Sequence, residues 1–149
     1  MLIATNLPGI GNTYLDSRFS PMVQQFISEA RTRGVNLTFN EAFRPPGYQA
    51  MLRGNPAAIT PAAAGSSLHE AGFAVDVNFD SLGNIPGGMT GDQQRQAILA
   101  AATAAQLSWG GQFVHPGPDR PHFYYDPGGD RQALVRQAQA DYRRIAGRQ

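Results

Sequence analysis

The chain of 149 residues contains no cysteine. Disulfides, thiolate metal ligands and cysteine nucleophiles are therefore excluded, and any metal must be held by His, Asp, Glu or water. Lysine is absent as well: all 12 basic residues are arginine, a bias read as genomic base composition with no mechanism attached. Charge is sparse, at 15%, against a hydrophobic fraction of 42%. That balance belongs to a globular chain rather than a disordered one. A formal net charge of +1 predicts no strong attraction to nucleic acid. No apolar run reaches membrane-spanning length, so no membrane insertion is expected. The opening Met1-Leu2-Ile3-Ala4-Thr5-Asn6 lacks the basic and long apolar regions of a Sec signal peptide. There is also no Walker loop, no dinucleotide glycine fingerprint, no G-x-S-x-G elbow and no H-E-x-x-H.

Histidine is scarce too, with 3 in the chain, and two of them stand beside carboxylates. His69 lies in Ser67-Leu68-His69-Glu70-Ala71-Gly72-Phe73-Ala74-Val75-Asp76, and His122 ends Asp119-Arg120-Pro121-His122. His69, Asp76 and His122 would supply two imidazoles and one carboxylate, a set that suits a catalytic zinc with water in its fourth position. Asp119 would be the base that activates this water. Seven residues of extended strand span over about 20 Å, so His69 and Asp76 can share an ion only if the chain bends between them. Gly72 and the small Ala71 and Ala74 permit that bend. Taken singly, each of these residues reads first as an ordinary surface or structural side chain. His115, in a Pro/Gly turn, reads as exposed.

The pattern along the chain predicts one α+β domain over residues 1–149. Ser20-Pro21 reads as a helix start with Ser20 as N-cap, and Gly34 as its stop. Val35, Leu37 and Phe39 alternate with polar residues as a half-buried strand, which delivers Glu41-Ala42-Phe43-Arg44 to its end. A short helix is expected through 48–52, a loop over 54–67 and a connection over 80–91. A second strand is expected from Ala74 to Phe79, with Asp76 on the face opposite Val75 and Val77. An Ala-rich helix should cover Asp92 to Leu107, with Ile98, Leu99, Ala102 and Ala105 inward. Trp109 to Val114 and Pro121 to Tyr125 read as strands. A last helix should run from Asp130 to Ile145, with Leu134, Ala138, Tyr142 and Ile145 inward. Its arginines read as a solvated face.

Arg44, a permanent cation at a strand end, is placed to bind a carboxylate or a developing oxyanion. Gln49 is a candidate hydrogen-bonding partner of the substrate. Ser67 is a candidate to hold the loop, orient a ligand or touch substrate.

Together these segments resemble the zinc peptidases that include VanY-type D-Ala-D-Ala carboxypeptidases and the L-alanyl-D-glutamate endopeptidases of phage lysins. Ser67, His69, Gly72, Ala74 and Asp76 fill every position of S-x-H-x-x-G-x-A-x-D, and Asp119 and His122 fill (D/E)-x-x-H. Trp109-Gly110-Gly111 and Asp119-Arg120-Pro121-His122-Phe123 match the W-G-G and D-x-P-H-F of the endopeptidase branch. Phe43-Arg44-Pro45-Pro46-Gly47-Tyr48-Gln49 corresponds to an upstream Y-R-S-x-x-x-Q segment, with Phe43 and Pro45 replacing the usual Tyr and Ser. The stretch from Gln112 to Pro118 lacks the W-K pattern of the endopeptidases.

The resemblance implies the hedgehog/DD-peptidase fold, with a small antiparallel sheet carrying one zinc ion. It implies His69, Asp76 and His122 as ligands, Asp119 as catalytic base, and substrate contacts from Arg44, Gln49, Ser67 and Trp109. The expected activity is cleavage of the peptidoglycan stem peptide, as an L-alanyl-D-glutamate endopeptidase first and a D-Ala-D-Ala carboxypeptidase second. A non-catalytic zinc-binding module of the same fold is the alternative of another class. The absence of a Sec signal suggests synthesis in the cytoplasm and release to the wall through a holin or specialised secretion. An antibacterial effector would also have an immunity protein as partner.

Overall fold

The computed structural model of the chain describes residues 1–46, 67–79, 91–112 and 120–147. Among these residues the architecture is α+β, with a two-stranded hairpin, a four-stranded sheet and four α-helices. The hairpin pairs β1 (Leu2–Leu7) with β2 (Gly11–Asp16), antiparallel and in continuous register. The sequence reading assigned nothing to this segment, although Pro8-Gly9 marks its turn. Gly9 has φ +91°, and a Cβ there would lie 2.7 Å from the Phe39 carbonyl oxygen, so the turn abuts the main sheet too closely for any side chain.

Helix α1 (Ser20–Thr32) buries Val23, Phe26, Ile27 and Ala30 at helical spacing. Its cap differs from expectation: Phe19 is the N-cap residue and Ser20 is already helical. The Ser20 hydroxyl instead meets the Thr5 hydroxyl at 3.0 Å, so it ties the helix to the hairpin. Gly34 ends the helix as expected, with φ +86° and its N–H donated to the Arg31 carbonyl. Burial then alternates from Val35 to Asn40 as read from sequence, but ladder pairing begins only at β3 (Phe39–Glu41).

The main sheet has the order β3-β4-β6-β5, all antiparallel: β4 is Ala74–Val77, β5 is Ser108–Trp109 and β6 is His122–Tyr124. One face is apolar. Phe39, Val75, Val77 and Phe123 are all buried there, and Phe26 of α1 lies 5.0 Å, ring to ring, from Phe123. Helix α3 (Gly91–Ala104) packs beside α1 and adds Ile98, Ala101 and Ala102 to this core. Leu99, expected inward, is only half-buried. The strand expected from Trp109 to Val114 stops at Trp109 and turns into a 3-10 helix over Gly110–Gln112.

The opposite face of the sheet carries Asp76, His122 and Tyr124. Nearby, the four-residue helix α2 (Leu68–Ala71) packs against α4 (Arg131–Ala146). Asp130, read from the sequence as the first helical residue, instead caps α4 by accepting the N–H groups of Gln132 and Ala133. The inward face of α4 is rotated slightly from expectation. Val135, Ala138 and Asp141 are buried, whereas Leu134, Tyr142 and Ile145 are half-buried. The buried Asp141 carboxylate accepts the Leu2 N–H at 3.1 Å, which joins the C-terminal helix to the hairpin. The helix expected at 48–52, most of the loop at 54–67, the connection at 80–90 and the turn holding His115 lie outside the described residues. Among the described residues, no helix is long and apolar enough to cross a membrane.

Candidate metal centre

Three local devices converge on one point. The first is the α2 turn. Ser67 accepts the His69 N–H at 3.2 Å, and Glu70 accepts the Ser67 N–H at 3.2 Å, a reciprocal capping box. Gly72 closes the turn in the left-handed region, at φ +80°, where a Cβ would meet Leu2 at 2.7 Å and the Asp16 nitrogen at 2.9 Å. The chain therefore reverses between His69 and Asp76. This is the bend that their spacing required.

The second device is the backbone of residues 42–44. The Ala42 carbonyl lies 2.8 Å from His69 Nδ1, and the Arg44 N–H donates to the His69 carbonyl at 3.0 Å. A carbonyl only accepts, so Nδ1 carries a proton and Nε2 is the nitrogen turned toward the triangle. The ring is buried, at 2% exposure, and cannot turn away. The third device is the ladder between β4 and β6, in which Asp76 and His122 are direct partners on one face. The His122 ring packs on Tyr124, the next residue of that face, with centroids 5.3 Å apart.

The result is a triangle of potential ligand atoms. His69 Nε2 lies 3.1 Å from His122 Nδ1 and 3.2 Å from Asp76 Oδ1, and His122 Nδ1 lies 3.3 Å from the same oxygen. Zinc bonds of about 2.0–2.2 Å in tetrahedral array place neighbouring donors about 3.3 Å apart, so these atoms match one face of such a tetrahedron. Burial raises the Asp76 carboxyl, but the charge and hydrogen bonding of the two imidazoles outweigh it and hold the group well below the usual carboxylate range. Asp76 is thus an anion, as a ligand must be. Among the described residues, this is the group of His, Asp and Glu side chains close enough to share an ion. The donor set fits zinc, and two imidazoles with one carboxylate also occur around non-haem iron.

The other expected site residues fall in different places. Arg44 is buried at 7% exposure, and its Nε and Nη2 fork the two Glu41 carboxylate oxygens at 2.7 and 2.9 Å. Ser67 is buried with its hydroxyl in the α2 cap. Trp109 donates its indole N–H to the Arg120 carbonyl at 2.7 Å, just before His122. Gly111 lies under that indole: a Cβ there would be 2.1 Å from the ring. The W-G-G run is therefore a staple that holds the start of β6. Gln49, His115 and Asp119 lie outside the described residues.

Sequence reasoning gave no role to Ala42 or Glu41. The carbonyl of Ala42 has no side-chain signature. Glu41 was visible only as a carboxylate three residues before Arg44.

No curated protein matches the chain. Residues 61–125, which include all three atoms of the triangle and Asp119, match the family model described as D-alanyl-D-alanine carboxypeptidase.

Proposed function

We propose that the chain is a zinc peptidase that cuts the peptide stem of bacterial peptidoglycan. The observation that carries this reading is the triangle: three buried or half-buried donors, from α2, β4 and β6, at tetrahedral spacing. The match of residues 61–125 to a D-alanyl-D-alanine carboxypeptidase model supports it independently.

Zinc bound there would acidify water and polarise the scissile carbonyl. The remaining work falls to the chain's own groups. His69 is held in its ligating tautomer by the Ala42 carbonyl. Asp119, three residues before His122, takes the proton of the attacking water and passes it to the leaving amine. Arg44 binds the developing oxyanion or a neighbouring substrate carboxylate. Gln49 assists at the substrate, while Ser67 and Trp109 act through the elements that they hold.

The scissile bond has two candidates, each with its own support. The W-G-G and D-x-P-H-F pattern favours the L-alanyl-D-glutamate bond. The description of the matching family favours the terminal D-Ala-D-Ala bond. Release to the wall by a lysin or effector route, with an immunity protein in the second case, completes the proposal.

Metal analysis of the purified protein with digestion of intact murein tests the whole reading. One equivalent of zinc and release of stem peptides or of free D-Ala are expected. Mass spectrometry then separates the bonds: free terminal D-Ala alone would reject the endopeptidase. Asp119→Ala should keep its zinc and lose cleavage by about 10²-fold or more. Retained turnover would remove Asp119 from the mechanism, and zinc uptake with no cleavage by the unaltered protein would favour a binding module.

A further inference from the structure

One row of side chains crosses the metal-bearing face of the sheet. Glu41, Asp76 and His122 are successive register partners on β3, β4 and β6. Regular alternation would not put Glu41 there. Phe39, two residues earlier, pairs with Val77 on the core face, and in an unbroken strand Glu41 would share that face. The pairing slips by one residue between Phe39 and Glu41, and this bulge turns Glu41 over to the side of Asp76.

Direct partners in an antiparallel pair have Cβ atoms about 4.5–5.5 Å apart, so the Glu41 side chain springs from the position beside Asp76. A glutamate reaches further than an aspartate, and Glu41 is thus a fourth potential ligand beside an ion that already has three. What occupies Glu41 is Arg44, whose guanidinium forks both carboxylate oxygens from a buried position. A bidentate fork fixes the plane of the carboxylate as well as its charge.

We propose that the Glu41–Arg44 fork keeps the metal site open: Arg44 withholds the Glu41 carboxylate from an ion held by His69, Asp76 and His122, so that the fourth corner stays available for catalysis. The inference rests on the metal reading under "Proposed function". It assigns Arg44 a positioning role that is separate from any contact with substrate. A site with three protein ligands is catalytic, and one with four is structural. The fork decides between them.

The test is zinc affinity, measured by titrating the metal-free protein against a chromophoric chelator. Arg44→Met frees Glu41, so this variant should bind zinc about tenfold tighter than the unaltered protein. Glu41→Gln alone should bind with unaltered affinity. The double variant, Glu41→Gln with Arg44→Met, should lose the gain. Should Arg44→Met fail to fold, Arg44→Gln, whose uncharged amide cannot fork both Glu41 oxygens, is read in the same way. Zinc binding by Arg44→Met that is no tighter than normal, or a tenfold loss in Glu41→Gln, overturns the proposal and leaves the metal site standing. Failure of the unaltered protein to bind zinc overturns the metal reading, and the proposal with it.

Discussion

At the scale of single residues, close approach explains more of this site than charge does. Gly111 has the Trp109 indole lying on its Cα, and a methyl group there would overlap the ring at 2.1 Å. The indole must move, and its hydrogen bond to the Arg120 carbonyl goes with it. Overpacking of this kind costs about 1–3 kcal/mol. Gly111→Ala should lower the denaturation midpoint by a corresponding amount. Trp109 is the chain's single tryptophan, so its fluorescence emission should report the displaced ring directly. An unchanged spectrum with unchanged stability would show that the indole has room to yield. The glycine of W-G-G was legible as a motif, but its reason was not, because the clash is with a ring that only folding brings over it.

At the scale of elements, the weakest piece carries the most buried ligand. Helix α2 has four residues, too few to sustain themselves by intrahelical bonds. Its capping box supplies what propensity cannot. Ser67→Ala removes the acceptor for the His69 N–H, at a cost of about 1 kcal/mol. The larger consequence should appear at the metal, because His69 loses one of the contacts that orient it. Zinc affinity is expected to fall about tenfold, as for other groups that orient a ligand. Thermal denaturation and chelator competition on the same sample separate the two effects. A loss of stability with unaltered zinc affinity would reduce Ser67 to a plain cap.

At the scale of the whole molecule, the ion would join parts that the chain itself keeps apart. His69 and His122 are 53 residues apart in sequence, and they meet only because β4 and β6 are neighbours in the sheet. Metal bound to the native state alone stabilises by mass action, about 4 kcal/mol when free zinc is a thousand times Kd. Removal of zinc by a chelator should therefore lower the melting temperature by about 10 °C. Resupply of zinc should restore it. Asp76→Asn, which deletes the carboxylate of the triangle, should show little of this shift. Equal melting temperatures with and without chelator would mean that folding does not gather these donors around an ion.

The helix α1 and its glycine stop, the strand through Asp76 and the C-terminal helix were determined by residue type and spacing, because each rests on local chemistry, alternation or helical periodicity. His69, Asp76 and His122 stood out only through the rarity of histidine together with the family resemblance. The tertiary structure decided the rest. It set the nitrogen that His69 presents, through the Ala42 carbonyl just past β3. It supplied the N-terminal hairpin that backs Gly72, and the bulge that turns Glu41 onto the face of Asp76. These depend on which backbones become neighbours, and pairing between strands far apart in the chain leaves no mark on the identity of any one residue.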